Sequence, residues 1–324
     1  MERIVLTETE SAEIASLAEE VLTSLEDWDP LRFVDEATTI AARLPLRLRQ
    51  FLVNARGAEA DVIVVSGLPV DPDLVPTPTG WDMAAKTGAG RREELVLLLC
   101  GSVLGDPFCW ATQQDGRVVH DVCPAPGMEE SLTSASSKAA LSLHTEDVHH
   151  PCRGDYVSLF CLRNPDAVGT TIVRIGALDL PEDTREVLAQ DRFRFYPDDS
   201  HTGAVLNDLV NSDRLAGREF HAGPVLFGPK ERPYLRFDID FMSGVDGTAD
   251  EAIRVAQERI GAAVERVVLE PGDAVFVDNY RVVHGREPFS PRYDGKDRWL
   301  KRLNLIRDIR RLYAMSDVRS RVIA

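Results

Sequence analysis

Two histidines and a glutamate that can cap one face of a metal ion are the residues in this chain best suited to chemistry. His144-Thr145-Glu146 supplies an imidazole and a carboxylate in one tripeptide, and Asn279-Tyr280-Arg281-Val282-Val283-His284-Gly285 supplies a second imidazole far downstream. Three protein ligands on one face of an Fe(II) ion leave the remaining positions open for a co-substrate and O2, which is the wiring of a non-haem oxygenase. A His-x-Glu tripeptide alone is weak evidence, because most histidines are surface groups or satisfied core groups. Arg298 changes the weighing. It follows His284 closely enough for the next strand to return its guanidinium to the same cavity, and a planar fork of donors is what a carboxylate co-substrate requires.

The elements that must position these groups are short strands. A strand over 141–148 would aim His144 and Glu146 to one side, with Thr145 and Asp147 pointing away, because strand side chains alternate. Residues 273–278 follow the turn signal Pro271-Gly272 and read as a short buried strand, so His284 would arrive from a neighbouring strand end. From Asp115 onward short β runs separated by Gly, Pro and Asp dominate, among them 156–162, 170–175, 234–241 and 274–277. One helix interrupts them, at 250–267. Before residue 110 the pattern is mainly helical: 11–25 and 31–53 carry apolar residues at helical spacing, 61–67 reads as a strand ending at Gly67, and 91–104 reads as a further helix. The expected fold is mainly β with flanking helices. A barrel or jelly roll would occupy 111–312 and a helical buttress 1–110, all in one domain spanning 1–324.

Composition narrows the function classes. The chain has 324 residues, 44% hydrophobic and 28% charged, enough for a full core. Its formal net charge of -16 argues against a nucleic-acid partner, which needs a basic footprint. No apolar run approaches the roughly 18 residues that a membrane helix requires. The first residues lack the basic flank and apolar core of a secretory signal, so a cytoplasmic location is expected. The five cysteines form no C-x-x-C pair, which suggests neither a zinc knuckle nor a disulfide framework. The amphipathic N-terminal helices offer a face for a homodimer.

The stretches 143–147 and 155–160, and above all the block from Asp278-Asn279-Tyr280-Arg281-Val282-Val283-His284-Gly285-Arg286 to Asp297-Arg298-Trp299-Leu300-Lys301-Arg302-Leu303-Asn304, resemble the clavaminate-synthase-like Fe(II)/2-oxoglutarate oxygenases. Within them the likeness is to the free L-arginine hydroxylases of peptide-antibiotic pathways, such as that of viomycin biosynthesis, and it runs from about Gln113 to Asp308. The resemblance implies a double-stranded β-helix, or cupin-like jelly roll, with Fe(II) held by His144, Glu146 and His284, and 2-oxoglutarate anchored by Arg298. It places a hydroxyl partner for 2-oxoglutarate on Thr171; Thr170 is adjacent, and alternation alone does not choose between them. It places the substrate's α-carboxylate on Arg302, its α-amino group on Gln113 and the outer oxygen of Glu146, and its side chain on Asp238 and Asp240. On a strand over 234–241 those two aspartates would share a face and could clamp a guanidinium or ammonium; an exposed polar strand face is the plainer reading of the same residues. Ser134 to Lys138 is small and polar enough to form a flap over substrate.

His149 and His150 invite assignment as ligands, but three ligands already suffice. His120, His201 and His221 lack partners at metal spacing and read as structural. Asp147 could orient a neighbour by hydrogen bonding. The implied activity is hydroxylation of a free cationic L-amino acid, L-arginine first, at C-3 or C-4 and in specialised metabolism. L-lysine, L-citrulline and arginine desaturation are the nearest alternatives. Two rivals from other classes are a cupin-like metal-binding protein without catalysis and a zinc hydrolase; against the second, no H-E-x-x-H helix is present and Arg298 would have no purpose.

Overall fold

The computed structural model describes residues 1–131, 133–202, 215 and 217–324. The fold is mainly β, with helices covering it. The first helix, Glu8–Ser24, starts at a capping box: the Glu10 N–H donates to Thr7 Oγ1 at 3.2 Å, and the Thr7 N–H donates to Glu10 Oε2 at 2.8 Å. The single helix expected over 31–53 is two, Pro30–Ala41 and Leu46–Gly57. Pro45 sits between them; it has no N–H to donate and its ring clashes with the preceding turn, so the chain must restart. Arg91–Leu104 forms as expected, and Leu95 through Cys100 are wholly buried, because the other N-terminal helices cover one side of it and the large sheet the other.

Two sheets face each other. The larger has eight strands, in the order Glu2–Val5, Val62–Ser66, Ala274–Asp278, Tyr156–Arg163, Trp299–Ile306, Asp106–Trp110 and Val322–Ile323, with Val119–Val122 also pairing Trp299–Ile306. The smaller runs Glu265–Val268, Gly169–Arg174, Val282–Arg286, Leu141–His144. Val62, Val64, Val157, Leu159, Val275, Val277 and Leu300 of the larger sheet meet Ile172, Val267 and Val282 of the smaller in one apolar layer. Alternation assigns the faces. On Val282–Arg286, Val282 lies in this inner layer while Val283 packs outward against Phe193, Phe195 and the helix Gly247–Ala262.

Two sequence expectations need correction here. The helix expected at 250–267 is Gly247–Ala262: Asp246 caps it early by accepting from the Thr248 and Ala249 N–H groups, and Glu265–Val268 pairs instead with Gly169–Arg174 as a sheet edge. The strand expected at 234–241 is confined to Tyr234–Leu235, because the Asp240 N–H donates to Asp238 Oδ1 at 3.0 Å and turns the chain. Among the described residues no helix is long and apolar enough to cross a membrane.

One buried ionic cluster ties the helical layer to the sheet. Lys301 is fully buried, and its Nζ lies 2.9 Å from Glu94 Oε1 and 2.7 Å from Asp121 Oδ1. Trp28 Nε1 donates to the other Glu94 oxygen and Trp299 Nε1 to Asp121 Oδ1. Lys301→Met removes the buried cation between the two carboxylates and leaves them the partly exposed Arg117, 3.1 Å from Glu94 Oε1 and 3.9 Å from Asp121 Oδ2. It is expected to cost about 3–5 kcal/mol of unfolding free energy, read by urea denaturation; a loss below about 1 kcal/mol would show the cluster to be solvated.

Candidate active site

His144 ends the strand Leu141–His144 and lies directly opposite His284 on Val282–Arg286. Opposed residues of an antiparallel pair point to the same face, so the two rings meet, with centroids 4.6 Å apart. The strands can close because residue 285 is Gly; a Cβ there would collide with the Leu141 carbonyl oxygen.

Glu146 joins them by a different route from the one expected. The strand stops at His144, and Glu146 lies in the turn that follows, where Asp147 takes a left-handed φ of 53°. Asn279 holds that turn: its Oδ1 accepts from the Glu146 N–H at 2.7 Å, and its Nδ2 donates to the carbonyls of Glu146 at 3.2 Å and Gly154 at 3.0 Å. The Thr145 N–H donates to the Phe237 carbonyl, and the buried Arg153 donates to Thr145 Oγ1. Sequence reasoning quoted Asn279 within its motif without a role. The available signal was an amide residue directly after a buried strand and just before a ligand strand.

Glu146 Oε1 lies 3.2 Å from His284 Nε2 and 3.9 Å from His144 Nε2, and the three donor atoms fall within 4.8 Å of one another. His144 Nδ1 hydrogen-bonds the Ser142 carbonyl at 2.7 Å, which assigns its proton there and leaves the Nε2 lone pair facing the carboxylate. Burial alone would raise the Glu146 pKa, but Arg302, His284 and His144 outweigh it and hold the carboxyl well below its usual range. Two imidazole nitrogens and a carboxylate oxygen converging from one side fit Fe(II), whose binding would displace any proton that the imidazole nitrogens share with the carboxylate.

The strand Trp299–Ile306 brings the cations. Arg298 precedes it, and Arg298, Leu300 and Arg302 alternate toward the cavity while Trp299, Lys301 and Leu303 face the helices. Arg298 is buried, and among the described residues no carboxylate lies within ion-pairing distance; its contact is Thr170 Oγ1 at 3.5 Å. Burial without a counter-ion pushes its pKa down to about 10. The hydroxyl beside Arg298 is therefore that of Thr170 and not of Thr171. Thr170 is on the inner face with Ile172, whereas Thr171 opposes Gly285 on the other face and does not line the cavity.

Arg302 Nη2 donates to Gln113 Oε1 at 2.9 Å and lies 3.5 Å from Glu146 Oε2. Gln113 Nε2 donates in turn to Ser200 Oγ at 2.8 Å. Asp238 bridges to the His144 strand, and Asp238 and Asp240 both line the cavity, brought there by a turn instead of a shared strand face. Burial pushes the Asp238 carboxyl up to about 7; His144 opposes the shift, and the charges of Asp240 and Asp198 add to it. Asp198, a further cavity residue that sequence reasoning missed, accepts from the Ser200 N–H and Oγ. Ser134 lines the cavity, but Ser136 and Ser137 of the expected flap are buried. His149, His150 and His201 pack around Trp110, with His201 Nε2 3.1 Å from Asp147 Oδ1. The cavity measures about 890 Å³.

A mainly β fold enclosing a two-histidine, one-carboxylate triad and a buried, unpaired arginine defines a class of iron oxygenases. Residues 102–304 match the model of the taurine catabolism dioxygenase TauD, TfdA family. The chain is 41% identical to an enduracididine beta-hydroxylase of Streptomyces hygroscopicus, over 94% of each chain, and 40% identical to an L-ornithine/L-arginine 3-hydroxylase of Catenulispora acidiphila, over 96% of each. It superposes on the crystal structure of the non-haem iron oxygenase OrfP with Fe and α-ketoglutaric acid at a TM-score of 0.87, with 36% identity, covering 99% of this chain and 100% of that one. The chain belongs to the TauD/TfdA dioxygenase family, and it is a non-haem iron dioxygenase dependent on 2-oxoglutarate.

Asn279→Ala frees the backbone of Glu146 without touching a ligand atom. It is expected to weaken Fe(II) binding by about 10- to 100-fold, measured by anaerobic metal titration, with the thermal transition still cooperative. An unchanged metal affinity would show that the turn holds itself.

Proposed function

We propose that the protein hydroxylates a free cationic L-amino acid, L-arginine first, at C-3 or C-4. The observation that carries this reading is a cavity with complementary uncompensated charges. Arg298 lacks a carboxylate partner, and Asp238 and Asp240 lack an Arg or Lys partner, among the described residues. Arg298 and Asp238 are buried and Asp240 is half-buried; charges withdrawn from water are costly unless paired, so the ligands must supply the partners. A keto diacid answers Arg298, and a guanidinium answers the aspartates.

His144, Glu146 and His284 hold the iron in this reading. Iron and 2-oxoglutarate, when bound, supply the oxidising power that replaces a C–H bond by C–OH. Arg298 grips the distal carboxylate of 2-oxoglutarate beside the Thr170 hydroxyl. Arg302 pairs with the α-carboxylate of the amino acid, Gln113 and the outer oxygen of Glu146 meet its α-ammonium, and Ser134 lies at the cavity wall. Asp238 and Asp240 hold the far end of the side chain. Because both ends are held, the carbon nearest the iron is set by the span between Arg302 and the aspartates. The two facing sheets form a double-stranded β-helix within one domain, with the N-terminal helices as its buttress. Support comes from the relatives named above and from OrfP, whose structure with Fe, succinate and (3S)-hydroxy-L-Arg matches at a TM-score of 0.89. The L-ornithine/L-arginine 3-hydroxylase keeps L-ornithine as a second candidate substrate, since an ammonium can meet the same carboxylates.

Incubation of the Fe(II)-loaded protein with 2-oxoglutarate, O2 and a panel of amino acids that includes citrulline and ornithine is expected to add one oxygen atom to arginine, seen by mass spectrometry. Asp240→Ala is expected to lower the kcat/KM ratio of arginine to citrulline by about 30-fold or more. Equal turnover of the two by the wild type, or an unaltered ratio in the variant, would defeat the assignment of a cationic substrate.

A further inference from the structure

The geometry points to Arg286 as a second cationic group of the co-substrate end, one that selects a doubly charged keto acid over a singly charged one. Arg286 is two positions beyond His284 on the same strand, so both side chains face the cavity. Its opposite residue on Gly169–Arg174 is Thr170, whose hydroxyl is the contact of Arg298. The metal ligand His284, Arg286, Thr170 and Arg298 thus form one continuous patch, with the two guanidiniums on the side of Thr170.

Arg286 is buried and, like Arg298, has no carboxylate within ion-pairing distance among the described residues. Its hydrogen-bond partners among the described residues are neutral: Nη1 donates to the Ser137 and Glu287 carbonyls at 3.0 and 2.9 Å, and Nη2 donates to Ser136 Oγ and the Ala139 carbonyl at 2.7 and 2.8 Å. These bonds orient the guanidinium and pin the segment Ser136–Ala139, yet they leave its positive charge uncancelled. The Nε atoms of Arg286 and Arg298 both lack a hydrogen-bond partner among the described residues. Two such cations in a low-dielectric site repel each other, and the repulsion is relieved by an anion that brings more than one negative charge. Burial and Arg298 push the Arg286 pKa down to about 10, which agrees with that crowding. A keto acid lacking the distal carboxylate relieves less of the repulsion, so Arg286 acts on the choice of co-substrate without being an iron ligand.

This inference rests on 2-oxoglutarate as co-substrate. The test is anaerobic calorimetric binding of 2-oxoglutarate and of 2-oxobutanoate, which shares the keto acid end and lacks the distal carboxylate, to the Fe(II)-loaded enzyme. Arg286→Gln is expected to weaken 2-oxoglutarate by about tenfold or more and 2-oxobutanoate by less than about twofold. Arg286→Lys keeps the charge while losing most of the pinning bonds, and is expected to retain the preference for the dianion. Equal weakening of both keto acids, no change in either, or loss of the preference in the lysine variant as well would overturn the proposal. If Arg286→Gln does not fold, the neutral variant Arg286→Met decides by the same ratio. A wild-type protein that binds neither keto acid would instead defeat the reading of the co-substrate itself.

Discussion

The pairing of Leu141–His144 with Val282–Arg286 is the constraint on which the site depends. It sets His144 opposite His284 with no loop between the ring and its strand, so the metal centre inherits the stiffness of a buried ladder. Gly285 lets the two backbones approach, and the register shift between His284 and Arg286 ends the regular pairing beside the cavity. Glu146 is the exception. It comes from a turn, and the turn is stiffened by side chains, with Asn279 and Arg153 supplying the hydrogen bonds that a strand would have supplied itself.

Around that pair the protein keeps charges in the interior that its own fold does not neutralise. The contrast with Lys301 is instructive. Lys301 faces away from the cavity on the same strand that carries Arg302, and it is surrounded by two carboxylates. Arg298, at the head of that strand and facing inward, has none among the described residues. Alternation on a single strand thus separates a cation that holds helix to sheet from the cations that face the cavity. Asp238 at the other side of the cavity is the acidic counterpart, raised in pKa for the same reason of burial without a full partner. Buried charges of this kind cost stability, and in the function proposed above the ligands supply the missing partners.

Much of this was legible in the sequence where the signal was local or periodic. The helix Arg91–Leu104, the strands Tyr156–Arg163 and Ala274–Asp278, and the triad with Arg298 follow from apolar runs, turn residues and the chemistry of a carboxylate anchor. Errors came where a side chain redirected the backbone. Pro45 split one expected helix, Asp246 moved the start of another, and Asp238 turned a strand that its apolar neighbours would have continued. The Thr170 and Thr171 ambiguity had a different origin: alternation states that the two face opposite ways and is silent on which way is in. That needed Ile172 to be seen in the layer between the sheets.

By itself the sequence determined the kinds of group available and their order along the chain: two imidazoles, a carboxylate, a guanidinium and a pair of aspartates, among short strands behind a helical layer. It could do so because ligand chemistry belongs to residue types and strand patterning belongs to neighbours a few positions apart. Only the tertiary structure decided which atoms meet. The clamp of Asn279 on Glu146, the choice of Thr170, and the facing of Arg286 and Arg298 across one threonine each join residues far apart in the chain, and their partners are selected by sheet register and burial, which no local pattern encodes.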